Sequence, residues 1–183
     1  MKAMTLILSS IAAVSSFSVA FSPPASAYER KESAFICFVA AGDGGEMDVD
    51  ATTGGVRNQS SGWNWAQRQL YCPIVVDDAH PINTVNLEVN GRDGDVGAAV
   101  WAQACVSWRW DNGGFCGASV ANGGPGAVGW YNLSFTSTTM SDPLYYWRNF
   151  PWDYPYVIVS LPGNGGSGSV GYPSGVSGLR IFN

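Results

Sequence analysis

Charge and histidine are both scarce in this chain, and each scarcity narrows its chemistry. Only 13% of the residues are charged, and 14 acids against 9 bases give a net charge of −5 at pH 7. An acidic chain with no basic run is a poor partner for nucleic acid or anionic lipid, which are recognised by Lys and Arg against phosphate. The single histidine, His80, lies in an acidic stretch beside Pro81, and any Ser-His-Asp or Cys-His site would have to use it. No G-x-S-x-G turn occurs. There is no C-x-x-C spacing, and one imidazole does not complete a common zinc set. Beyond residue 27 no apolar run is long enough to span a bilayer. Helix patterning, internal repeats and linkers are missing as well.

What is present begins with an export signal. Lys2 supplies a positive start, and an apolar stretch runs from Met4 through Leu6, Ile7, Leu8, Ile11 and Val14 to Phe21. Ala25-Ser26-Ala27 closes it with the small residues a signal peptidase needs, so cleavage is expected between Ala27 and Tyr28. Ser9, Ser10, Ser15 and Ser16 dilute the stretch too much for a membrane anchor, and Tyr28 at the cut is not the cysteine of a lipoprotein. The expectation is a signal peptide over residues 1–27, a loose N-terminal arm over 28–33 and one domain over 34–183. Such a protein is secreted or periplasmic, with no membrane insertion.

Cys37, Cys72, Cys105 and Cys116 are an even set in an exported chain, so disulfides are the default. Of three pairings, Cys37–Cys72 with Cys105–Cys116 closes most readily. A two-residue turn at Asn112-Gly113 would set Cys116 opposite Arg109, so the second bond needs a wider loop or a bulge.

Strand signals recur along the chain. Residues 84–90 alternate, with Val85, Leu87 and Val89 on one face, and Gly91 to Asp95 reads as the turn that follows. Residues 98–110 form a long candidate strand, with Val100, Ala102, Ala104, Val106, Trp108 and Trp110 on one face. Further candidates are 34–39, 69–76, 115–120, 127–137, 156–161, 169–172 and 179–182. Residues 156–161 are β-branched enough to be central. Pro73 beside Cys72 marks an edge or a bulge. The expected fold is all-β: a single antiparallel β-sandwich, jelly-roll-like, with about 8–10 strands and stapled by disulfides.

The densest acidic cluster is Asp43 to Asp50. In an extended segment Glu46, Asp48 and Asp50 share one face, and with Asp43 they offer the hard oxygen ligands that suit calcium. The competing reading is a solvated acidic loop. A carboxylate pair drawn from Asp43, Glu46, Asp48, Asp50, Asp77, Asp78, Glu88, Asp93 and Asp95 could also hydrolyse a glycoside, which depends on separations in space.

Aromatic residues are in surplus. Seven of the twelve residues from Tyr145 to Tyr156 are aromatic, and Pro151 and Pro155 should hold that segment extended or turned. Trp63-Asn64-Trp65 lies among small polar residues. Such rings fill a core, or they cover the C–H face of a sugar while polar neighbours take its hydroxyls. The same chemistry serves protein contacts. The expected ligand-binding residues are Trp63, Trp65, Trp147, Arg148, Trp152 and Tyr154. Two N-x-S sequons, at Asn58 and Asn132, complete the inventory.

The phrase Tyr71-Cys72-Pro73-Ile74-Val75, followed by an alternating strand and the Cys105…Cys116-Gly117 pair, resembles a loose group of small exported bacterial proteins with two cysteine pairs. The resemblance implies export and a β-rich fold. It carries over no site residue and no activity. The leading expectation is a non-catalytic module that contacts glycan or cell-envelope material through loop aromatics, with no cofactor other than calcium. The alternatives are a structural or protein-binding component of the envelope or matrix, and a carboxylate-based hydrolase.

Overall fold

The computed structural model describes residues 29–40, 47–50, 55–60, 67–75, 86–109, 113–123, 127–136, 138–140, 143, 145, 147, 153–163 and 172–182. These residues form two antiparallel sheets around one core. The first sheet contains β10 (Gly129–Phe135), β6 (Asn86–Asp93), β12 (Gly175–Phe182), β4 (Gly55–Asn58) and β3 (Met47–Asp50), in that order. β1 (Glu29–Ser33) also pairs with β12. The second sheet orders β2 (Phe38–Val39), β5 (Arg68–Pro73), β11 (Tyr154–Leu161), β7 (Trp101–Ser107) and β8 (Gly114–Cys116), with β9 (Val120–Ala121) also on β7. A single 3-10 turn, Ala34–Ile36, links β1 to β2.

Period-two alternation explains the core. Leu87 and Val89 of β6, Leu133 and Phe135 of β10, and Leu179 and Ile181 of β12 face Leu70, Cys72, Ala102, Ala104, Val106, Val157, Val159 and Leu161 of the second sheet. Removing one such Val, Leu or Ile from water is worth roughly 1.5–3 kcal/mol. β11 is central, as its β-branched run implies, lying between β5 and β7. Pro73 stands past the last β2 pairing, Phe38 with Tyr71, and the next amide, Ile74 N–H, bonds to Pro155 on β11. The N–H that proline lacks would therefore have pointed to an open edge.

Both disulfides staple an edge strand to the body of the second sheet. Cys105 and Cys116 are direct partners across β7 and β8. Trp108 N–H bonds to the Gly113 carbonyl, which closes a loop wider than a two-residue turn. Cys37 bonds to Cys72, one step beyond the β2–β5 ladder.

Four expectations are corrected. Residues Glu29–Ser33 are not a loose arm: they pair with β12 from Gly178 to Phe182, covering an edge that β4 leaves bare. Gly91, Arg92 and Asp93 are strand, not turn, because Gly91 faces inward beneath Tyr131, where a Cβ would collide with the phenol. Twelve strands are described where about 8–10 were expected, since β1, β3 and β4 are short and polar. Pro143, Tyr145 and Trp147 are helical, upstream of the prolines that were expected to extend this segment. Trp108 falls just after β7 and is half-buried against Phe115, while Trp110 lies outside the described residues.

Candidate functional site

The outer face of the first sheet carries a row of side chains in register. Trp130 of β10 stands opposite Arg92 of β6, Arg92 opposite Gly175 of β12, Gly175 opposite Arg57 of β4, and Arg57 opposite Asp48 of β3. Trp130 is 75% exposed, although it sits on a strand whose other outward residues are Asn132 and Ser134. The Arg92 guanidinium lies 5.6 Å from the Trp130 ring centroid and 3.2 Å from that of Tyr172. Two rings thus hold one cation in place.

Gly175 is the floor of the row. With no side chain there, a groove of about 140 Å³ opens among Gly55, Arg57, Arg92, Trp130, Tyr172 and Gly175. That is well below the roughly 300–1,000 Å³ of a pocket that encloses a small molecule. It fits part of a larger ligand laid across the sheet. Ser177, at the groove's end, also borders a second dip with Asn90, Gly178 and Lys31.

The core holds this floor from beneath. The Tyr131 hydroxyl donates to the Gly175 carbonyl at 2.9 Å. Burial pushes the Tyr131 pKa up, and the nearby Asp93 carboxylate pushes it further, so the phenol stays a donor. Asp93 is fully buried. It accepts bonds from the Ser174 hydroxyl (2.9 Å), the Asn122 side-chain amide (2.7 Å) and the Asp95 N–H (3.0 Å). Ser174 in turn accepts from Gly94 N–H, and a Cβ on Gly94 would strike the Tyr172 carbonyl. This network fixes the segment Tyr172-Pro173-Ser174-Gly175, which supplies one wall and the floor.

The expected site residues fare differently. Trp147 is corrected: it is only 3% exposed, and its indole N–H donates to the Cys105 carbonyl at 3.0 Å. A buried indole needs such an acceptor, and this one is spent inside the protein. Tyr154 is 62% exposed but stands on the outer face of the second sheet, away from the groove. Trp63, Trp65, Arg148 and Trp152 lie outside the described residues, as do Asp43, Glu46, Asp77, Asp78, His80 and residues 1–28.

Asp48 of the acidic segment is exposed in β3 and accepts from the Gln59 side chain at 3.2 Å, and of Asp50 only the backbone is described. Among the described residues no three His, Cys, Asp or Glu side chains gather as metal ligands. The described members of the carboxylate set are otherwise engaged. Asp93 and Asp95 hold loop amides, and Glu88 pairs with Arg180 at 3.2 Å. Of the two sequons, Asn58 is fully buried, with its amide donating to the Leu161 carbonyl, whereas Asn132 is exposed.

Sequence reasoning missed Trp130, Arg92, Tyr172 and Arg57. One signal was legible: in residues 127–137 Trp130 falls on the polar phase of an alternating strand, and a large ring on a polar face asks for a partner.

The fold and the site define a disulfide-stapled antiparallel β-sandwich with an aromatic and cationic groove on one sheet. No protein-family model matches the chain, and no curated protein matches its sequence. No helix among the described residues is long and apolar enough to cross a membrane.

Proposed function

We propose that the protein is an exported, non-catalytic module that binds glycan at the groove on its first sheet. The observation that carries this reading is Trp130, 75% exposed beside a guanidinium held between two rings. A flat indole can cover the C–H face of a sugar ring, while the N–H groups of Arg92 and the hydroxyl of Ser177 take its oxygens. The two disulfides support an oxidising compartment, in line with the export signal.

The test is a titration of the oxidised protein with soluble oligosaccharides and a pull-down on insoluble ones. The reading expects one glycan class to bind, and Trp130→Ala to weaken it about tenfold or more, the scale of one lost aromatic contact with its buried area. Binding by no glycan in a broad panel would sink it.

A second reading, a protein-contact component of the envelope or matrix, rests on the opposite sheet. There Tyr71 and Tyr156 stack at 6.0 Å and line a shallow dip with Phe38, which is 68% exposed. It expects self-association that grows with concentration in sedimentation and disappears in Phe38→Ser.

A further inference from the structure

This inference rests on the glycan reading and names the class of sugar. The protein is acidic overall, and three of its described cations stand against carboxylates. Arg30 pairs with Glu32 at 2.9 Å, Lys31 with Glu29 at 3.0 Å, and Arg180 with both Glu29 and Glu88. Arg92 departs from this pattern. It meets two aromatic faces and no carboxylate among the described residues. A ring face attracts the cation through its quadrupole but leaves the planar N–H edge open for an acceptor. Arg57, on the far side of Gly175, stands opposite Asp48 of β3. The glycine leaves a dip beside the Arg92 guanidinium, in a protein whose net charge of −5 would otherwise repel an anion.

We infer that the groove selects an acidic glycan, a uronate-type polymer whose carboxylate sits in the dip at Gly175 against Arg92 while the sugar ring lies on Trp130. A carboxylate matches the guanidinium fork, and such charge-assisted bonds are about twice as strong as neutral ones. The polymer continues along β12 across Ser177 to the second dip at Gly178, about 10 Å further on at 3.3 Å per residue. Asn90 and Ser177 offer polar contacts there.

The experiment uses the full oxidised protein and calorimetric titration with two probes. One is a galacturonate hexamer. The other is the same hexamer with every carboxylate methyl-esterified, which keeps the rings and removes the charge. The acidic hexamer is expected to bind about tenfold more tightly or better, with an affinity that falls as salt rises from about 0.05 to 0.5 M. Arg92→Gln, an exposed change that should leave the fold intact, is expected to weaken both probes and to bring the acid-to-ester affinity ratio close to one. Equal binding of acid and ester, both lost in Trp130→Ala, would overturn the acidic selectivity and leave the glycan reading standing. Binding of neither hexamer would overturn this assignment, and failure of the whole neutral panel as well would overturn the glycan reading. A preference for acid that survives in Arg92→Gln would place the anion elsewhere and overturn the proposal.

Discussion

Replacing Tyr131 with Phe removes one oxygen and keeps the ring. That oxygen is buried and donates to the Gly175 carbonyl at 2.9 Å, the link between the core and the groove floor. A hydrogen bond of this kind contributes a net of about 1 kcal/mol, and leaving a buried carbonyl with one donor fewer can raise the cost to about 2 kcal/mol. For a domain of this size each kcal/mol moves the melting temperature by roughly 2–4 °C, so a fall of about 2–8 °C is expected. Urea unfolding should show the midpoint shifted and the slope unchanged, because the exposed surface is the same. The same variant should weaken glycan binding although Tyr131 points inward, because Gly175 is the floor between Arg92 and Arg57. An unchanged midpoint together with unchanged affinity would refute the idea that the core positions the groove.

Three further outcomes follow from the geometry. Loop entropy makes the Cys37–Cys72 bond, spanning 35 residues, worth about 4 kcal/mol and the Cys105–Cys116 bond, spanning 11, worth about 3 kcal/mol. Paired Cys→Ala variants in chemical unfolding should keep that order. Trp147→Phe should cost about 1–2 kcal/mol, since the Cys105 carbonyl loses a donor, and leave glycan affinity unchanged; a loss of binding would return Trp147 to the site. Glu32 is the pH-sensitive member of β1. Burial raises its pKa, with the Arg30 charge opposing, so the folded protein holds this proton more tightly than the unfolded chain does. Its stability contribution is therefore full below the ordinary Glu range and is lost as pH rises through the folded value. Measured against Glu32→Gln, the wild type should gain relative stability between pH 7 and pH 4, and a gain in the opposite direction would contradict the assignment.

The parts of this fold that were legible are those whose burial leaves a two-residue rhythm. β6, β7, β10 and β11 alternate or run β-branched, and Val89, Val106, Leu133 and Val159 are buried as that rhythm requires. β1 and β3 were hidden because charge masks alternation: Glu29-Arg30-Lys31-Glu32 looks solvated, yet Glu32 turns inward against β12. Gly91 looked like punctuation, whereas its size is needed to admit the Tyr131 ring. Trp147 looked exposed because its sequence neighbours are polar, but a tertiary acceptor, the Cys105 carbonyl, fixes its burial. The groove itself joins Arg57, Arg92, Trp130 and Tyr172 from four separate segments, so only the strand register brings them together. A local pattern carries no trace of that.

The central claim is that Trp130 is a solvent-facing sugar platform. Acrylamide quenching of tryptophan emission tests it most directly, recorded with and without a saturating bound glycan, in the wild type and in Trp130→Ala. The account predicts strong quenching in the wild type, suppressed by the glycan, with the suppressible part absent from the variant. Quenching that no glycan alters, or a suppression that persists without Trp130, would contradict it.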